Sequence, residues 1–316
     1  MKMTEATRRE FLKTSAFAAA AALPLSLHAS TNARYPIGFS TLGCPAWEWI
    51  KILDFAQQHG FAAVELRGLQ GSMDLPTRLE FSAERIAQSK KDVASRGLRL
   101  SCLSSSAHMH EVDPQKREAQ MADARNFIDL ASGLDVPYVR VFGNDVVGLR
   151  DQAVENVAKS LRELGDYAGP KNVTVLIESH GDFTDSPTLR ALLEKADSAH
   201  VGLLWDAHHT FVSGKEDPVF TYSQLEKYIH HTHLKDSLRD DKGVHYVLTG
   251  RGDVPVKQQV EVLVRNGYRG SYSFEWEKVW HPDIAEPEIA IADYATVVTQ
   301  YLKSAGYKAK RSRGRT

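Results

Sequence analysis

Cysteine is scarce in this chain, with only Cys44 and Cys102 among 316 residues. Two thiols so far apart do not make a disulfide framework, so a small stapled fold is excluded and stability must come from a packed core. Both cysteines read as small buried residues, with a late disulfide as the alternative. An excess of charge is also missing, since 39 Lys and Arg face 40 Asp and Glu for a net charge of -1. A near-neutral chain makes a poor polyanion binder, and no nucleic-acid partner is expected. The one basic run, KAKRSRGRT, ends a segment at residues 306–316 that reads as a solvated tail. No apolar run is long and hydrophobic enough for a good membrane span. No Gly-rich fingerprint follows the first strand candidate either, where STLGCPAWEW stands instead. A dinucleotide-binding sheet is therefore not expected.

What is present begins at the N-terminus. TRREFLK, Thr7 to Lys13, precedes the Ala-rich stretch TSAFAAAAALPLSL and then His28-Ala29-Ser30. Paired arginines ahead of a short apolar stretch read as a twin-arginine export signal over residues 1–30. This implies the Tat export machinery as a partner and a periplasmic location. Leu27 is a poor small residue upstream of a cleavage site near Ala29, which leaves an uncleaved membrane anchor open. The route carries proteins already folded, and so suits one that takes its metal before export.

Beyond the signal, short apolar runs alternate with helical patterns. The strand candidates are PIGFS, AAVELR, RLSCLS, YVRVF, VTVLIES, VGLLWD, HHTHLK and SYSFEWE. Segments such as AWEWIKILDFAQQHG and REAQMADARNFIDLASG separate them, with apolar residues at helical spacing and a closing Gly. Strict alternation argues for a parallel sheet covered by helices. Eight repeats over residues 35–305 fit a single (β/α)8 TIM barrel, typically about 250 residues long, better than an open sheet. The stretch SLRDDKGVHYVLTGRGDVP, Ser237 to Pro255, shows no periodicity and reads as an extended loop over the barrel mouth.

Barrel chemistry sits at the C-terminal strand ends, and those ends are polar here. Strand two ends in Glu65 and Arg67, and strand three runs to His108 and His110. Strand five ends in Glu178, and strand six in Asp206 with His208 and His209. Strand seven carries His231 and His233 on one face, and strand eight carries Glu275 and Glu277. A lone His or Glu at such a place is ordinarily a hydrogen-bonded structural residue. Four consecutive strands ending in acids or imidazoles is a different pattern, because closure aims them at one point. Clustered carboxylates repel unless neutralised, and a divalent cation is the usual neutraliser. Three carboxylates and one imidazole suit Mn²⁺, Mg²⁺ or Co²⁺, with Zn²⁺ also compatible.

VLIESH, WDAHH, HTHLKD, GRGDV and NGYRGSYSFEWE, in this order, resemble the sugar-phosphate isomerase/epimerase superfamily with its xylose isomerase-like barrel. By resemblance to its ketose 3-epimerases, Glu178, Asp206, His233 and Glu275 are the expected metal ligands, with Glu178 and Glu275 as the catalytic acid–base pair. His209 and Arg239 are expected to bind substrate, and His108 and Glu65 to line the pocket. Trp205 adjoins a ligand, so stacking on a sugar and core packing stand as equal readings. One departure is visible: where those epimerases keep a substrate-binding Glu after the strand-five ligand, this chain reads SHGDFTD. The implied activity is metal-dependent epimerisation or isomerisation of a sugar through an enediolate. The export signal favours a non-phosphorylated ketose or keto-sugar. A lyase that cleaves 3-keto-glycosides by β-elimination is the alternative from the same intermediate. An abasic-site endonuclease fits poorly, because the expected Asp-x-His pair is replaced by RDDKGVHYVL. A non-catalytic sugar-binding barrel predicts loss of Glu178 or Glu275, and both are present. Barrels of this kind often dimerise or tetramerise, so a homo-oligomer is compatible.

Overall fold

The computed structural model describes residues 34–309. The proposed signal and residues 310–316 of the basic tail lie outside the described residues. Strands β1 (Ile37–Ser40), β2 (Ala63–Leu66), β3 (Arg99–His108), β4 (Tyr138–Phe142), β5 (Thr174–Glu178), β6 (Val201–Asp206) and β7 (Ile229–Leu234) come first. A ribbon of β8 (Asp236–Asp240) and β9 (Gly243–Val247) follows, then β10 (Tyr272–Phe274). Seven of these strands pair with their chain neighbours, and β10 closes the ring between β7 and β1. All barrel pairings are parallel. The eight expected strands are thus the eight barrel strands.

Helices α1 (Trp49–Gln58), α2 (Ile86–Ser95), α3 (Pro114–Gly133), α4 (Arg150–Ala168), α5 (Ser186–Ala196), α6 (Ala207–Val212), α7 (Pro218–Leu225), α8 (Val256–Arg265) and α9 (Pro287–Ser304) fill the connections. Several start on an aspartate whose carboxylate accepts from the first free N–H groups: Asp113 for α3, Asp185 for α5, Asp206 for α6 and Asp217 for α7. Such caps satisfy donors that the helix itself leaves unpaired. Pro114 and Pro218 open α3 and α7, where a missing N–H costs nothing.

The segment expected as a structureless loop is instead an antiparallel hairpin, with Asp236 opposite Val247 and Asp240 opposite Gly243. Asp241 and Lys242 form its two-residue turn, and Gly243 supplies a φ of 123°. The turn sequence Asp-Asp-Lys-Gly was the available signal. The following GRGDV segment folds back on the buried Asp236, which accepts from the backbone N–H groups of Gly250, Gly252 and Val254. A β-carbon on Gly252 would collide with that carboxylate, which explains the glycine. Cys44 and Cys102 are both buried free thiols.

Alternation sorts side chains between the barrel interior and the layer beneath the helices. On β7, His231 and His233 point inward, while His230 lies outside near Tyr138. Gly202 on β6 leaves the room that the His230 ring occupies. We predict that Gly202→Ala lowers stability by about 1–3 kcal/mol through overpacking. Urea denaturation checks this, and an unchanged midpoint would show that the His230 ring moves away freely.

Candidate metal centre and active site

The C-terminal end of the barrel buries an unusual amount of charge. Glu65, Glu178, Asp206, Glu275, Glu277, Arg67, Arg140 and Lys235 are all buried. Isolated buried charges are costly, so each must be read with its partners.

Four strand ends bring Glu178, Asp206, His233 and Glu275 together, with one donor atom from each within 4.8 Å of the others. Asp206 and His233 are register partners on β6 and β7, which fixes them at one level. His233 Nδ1 lies 3.2 Å from Glu178 Oε1 and 3.2 Å from Glu275 Oε1. Its other nitrogen, Nε2, is 2.9 Å from Glu65 Oε2. The opposing pulls on the ring are large: burial disfavours its charged form, and Glu275, Glu65 and Glu178 override this to raise its pKa well above the ordinary value. Asp206 divides its two oxygens. Oδ1 accepts from the His208 and His209 backbone N–H groups at 2.9 and 3.0 Å, capping α6. Oδ2 faces the cluster and accepts from Lys235 Nζ at 2.7 Å.

Two cations frame these acids. Arg140, in the middle of β4, places Nε 3.0 Å from Glu178 Oε2. Burial alone would push the Glu178 carboxyl up, and the Arg140 guanidinium outweighs it, drawing the pKa down to about 2. Lys235 Nζ donates to Asp206, to Glu275 and, at 2.8 Å, to Glu277. Burial pushes the Glu277 carboxyl up to about 7, with Lys235 working against it. Neither Arg140 nor Lys235 was expected at the site. A charged residue centred in the apolar run YVRVF, and a lysine two places beyond His233, were the signals.

The acids open onto a cavity of about 360 Å³. Glu178, Glu275, His209 and His108 line it, together with Arg67, Arg140, His180 and Glu277. His209 hydrogen-bonds the Ser179 carbonyl through Nδ1 at 3.1 Å, and burial with the nearby Lys235 lowers its pKa to about 3. It is therefore a neutral imidazole at the cavity wall. Two other acid–imidazole groups exist among the described residues, Glu65-His231-His233 and Asp206-His208-His209. The first is knotted into internal hydrogen bonds, and in the second the shared carboxylate already caps a helix through one oxygen.

Three expected pocket residues lie elsewhere. Glu65 does not line the cavity: it is fully buried below the cluster and bonds Ser104, His231 and His233. It sits inside β2 rather than past its end, so its side chain stays within the barrel. Trp205 is also fully buried, donates from Nε1 to Thr210 Oγ1 at 3.0 Å, and packs by Tyr222. Adjacent residues on a strand face opposite ways, so a tryptophan beside the inward Asp206 must point out into the helix layer. Arg239 is exposed on the hairpin strand β8 and is not brought to the cavity.

We predict that Arg140→Met costs about 3–5 kcal/mol in chelator-treated protein at pH 7, because it leaves Glu178 buried without its cation. The same pair is an acid-sensitive element. A depressed carboxyl stabilises the fold above its ordinary pKa of 4.5, and that contribution drains away as pH falls toward about 2. Denaturation curves across this window should therefore flatten in the variant. A loss below about 1 kcal/mol, the worth of an exposed pair, would contradict the burial argument.

Comparison with known proteins agrees with this architecture. The family model for the xylose isomerase-like TIM barrel matches residues 53–295. An inosose dehydratase from Geobacillus thermodenitrificans is 26% identical over 244 residues, spanning 68% of this chain and 79% of that protein. A Bacillus anthracis inosose dehydratase is 27% identical, over 49% of this chain and about half of its own length, 55%. Among solved structures, the IOLI protein with a binding zinc atom superposes with a TM-score of 0.73 at 16% identity, covering 87% of this chain and 100% of that one. L-ribulose 3-epimerase gives 0.72 at 17% identity, covering 89% and 99%. At such identities the structural matches show the fold. With the family model covering most of the described barrel, the chain belongs to the xylose isomerase-like TIM barrel family.

Proposed function

We propose that this protein is a divalent-metal-dependent enzyme that removes the proton beside the carbonyl of a non-phosphorylated ketose or keto-sugar and returns it elsewhere, as an epimerase or isomerase. The observation that carries the reading is the convergence of Glu178, Asp206, His233 and Glu275, one donor atom each within 4.8 Å, with Glu178 and Glu275 also lining a ligand-sized cavity. This donor set is oxygen-rich with one imidazole, which fits Mn²⁺, Mg²⁺, Co²⁺ or Zn²⁺. A solved family relative carries zinc and another, from Mycobacterium smegmatis, magnesium, which supports a divalent ion here. Such an ion supplies positive charge that polarises a carbonyl and acidifies its neighbouring C–H.

The rest falls to the protein. Glu178, held ionised by Arg140, is the base on one side of the cavity. Glu275, in contact with the Lys235 ammonium, stands across from it and is the route by which a proton returns to the other face. His209 and His180 present imidazole edges to sugar hydroxyls. Substitution of either glutamate by Gln should lower kcat by roughly 10²–10⁴-fold. The export signal read in residues 1–30 supports a periplasmic enzyme, and with it a substrate without phosphate.

A second reading, a carbon–oxygen lyase, is favoured by one specific feature. Glu277 lines the cavity and burial pushes its carboxyl up to about 7, so it can hold a proton for a departing oxygen β to the carbonyl. The curated relatives named dehydratases support this branch. Proton NMR in D₂O separates the two, using protein reloaded with each metal and given free ketoses and 3-keto-glucosides. Metal-dependent deuterium uptake without loss of a group establishes the epimerase or isomerase. Release of water or aglycone establishes the lyase, and no exchange with any substrate overturns both.

Glu65 provides an independent check on the metal. It fixes the His233 ring by bonding the nitrogen that faces away from the cluster. We predict that Glu65→Gln weakens metal binding about 10–100-fold, as removal of a ligand's supporting carboxylate does. Competition against a chelating dye measures this, and unchanged affinity would remove His233 from the ligand set.

A further inference from the structure

Beside the catalytic cavity lies a second one, of about 370 Å³, walled by Met73, Asp74, Gln120, Asp123 and Phe127. Ser106 and His108 line both cavities. The partition between them is therefore the end of β3 itself. His108 is held there by its backbone N–H, which donates to Gln120 Oε1 at 2.8 Å, and by its ring stacking on Phe142. Each cavity falls in the range of about 300–1,000 Å³ typical of small-ligand pockets. A ligand confined to the first leaves the second, of equal size, unused.

The lining of the second cavity has a definite chemistry. Asp123 is half-buried, yet neither its carboxylate nor that of Asp74 accepts a hydrogen bond or forms an ion pair among the described residues. The Gln120 carbonyl is engaged by His108, which leaves its amide hydrogens to donate. Met73 and Phe127 give the walls an apolar component. Two carboxylates disfavour an anionic ligand. The guanidinium of Arg67, with Nη1 3.4 Å from Met73 Sδ, offsets their charge and disfavours a cationic one. Strong acceptors, an amide donor and apolar contact together match a neutral, hydroxyl-rich ring.

We propose that this cavity is a subsite for a second sugar ring, so that the substrate is a keto-glycoside or keto-disaccharide whose linkage passes over His108. The proposal rests on the keto-sugar reading above and narrows it to glycosylated substrates. The reacting ring occupies the metal pocket, and the second ring hydrogen-bonds Asp74, Asp123 and Gln120.

The test is calorimetry and saturation-transfer NMR on the metal-loaded full chain, with glucose, cellobiose and trehalose as probes that lack the ketone. At least one disaccharide should bind about tenfold or more tightly than glucose. Asp74→Ala, at an exposed position, and Asp123→Ala, at a half-buried one, should each erase that gain and leave glucose affinity unchanged. The subsite is overturned if disaccharides bind no better than glucose, or if the variants weaken glucose and disaccharide alike. A disaccharide preference that vanishes in the variants upholds the subsite even where 3-keto-glucose shows no metal-dependent exchange, an outcome that removes only the catalytic reading. Failure of every sugar to bind overturns both.

Discussion

Five carboxylates buried at one end of a barrel constrain everything else in this molecule. Mutual repulsion and lost hydration would each expel them, so their retention requires positive charge placed at fixed points. The chain supplies it from two strands and the residue just past one of them: Arg140 of β4 for Glu178, the His233 ring of β7 for Glu65, and Lys235 just past β7 for Asp206, Glu275 and Glu277. These pairs are divided unevenly. Glu178 and Glu275 are held ionised, while burial keeps the Glu277 carboxyl up near 7. The uneven division turns a stability problem into a chemical resource, since groups of one type sit side by side in different protonation states.

The polar ladder runs deeper than the mouth. His231 Nε2 meets Glu65 Oε2 at 2.8 Å, and the same carboxylate meets His233 one layer above. Glu65 is further bonded by Ser104 and Ser273 from neighbouring strands. A barrel interior is usually filled by branched apolar side chains. Here one of its layers is a hydrogen-bonded plug that ties β2, β3, β7 and β10 together, and the orientation of His233 is set by it. The three histidines of the HHTHLK strand divide accordingly: His233 faces the cluster, His231 supports it through Glu65, and His230 packs outside.

How much of this was legible in the sequence follows from what strand periodicity encodes. Alternation gives the face a residue occupies, so the inward set Glu178, Asp206, His233 and Glu275 was readable from four strand ends. It does not give depth along the barrel axis, where two residues on one face differ by about 6.6 Å. Glu65 was accordingly placed one layer too high, in the pocket rather than beneath it. Trp205 was decidable by parity alone, because its neighbour Asp206 faces inward. Arg140 and Lys235 were harder, since a buried cation in a strand is recognisable only once its carboxylate partner on another strand is known. The hairpin at β8 and β9 was missed for a simpler reason: its buried residues, Asp236 and Ser237, are polar and most of the rest is exposed or half-exposed, so it shows little apolar periodicity and only its turn residues are a signal.

The proposed metal ligands and the proposed substrate contacts occupy different parts of this architecture. Glu178, Asp206 and His233 belong to strands whose ladders fix them within the barrel, and Glu275 follows directly from β10. Rigid elements of this kind hold reacting groups at set distances far better than loops do. Groups that line the outer parts of the two cavities come instead from connections: Asp74 after β2, Gln120 and Asp123 on α3, and Trp280 between β10 and α9. Changes there leave the charge balance at the barrel end untouched. A family built on this barrel can thus keep one way of loosening a proton beside a carbonyl while its loops choose which molecule presents it. In this chain that surface extends across the β3 side, where the end of a single strand, carrying His108, separates two cavities of nearly equal size.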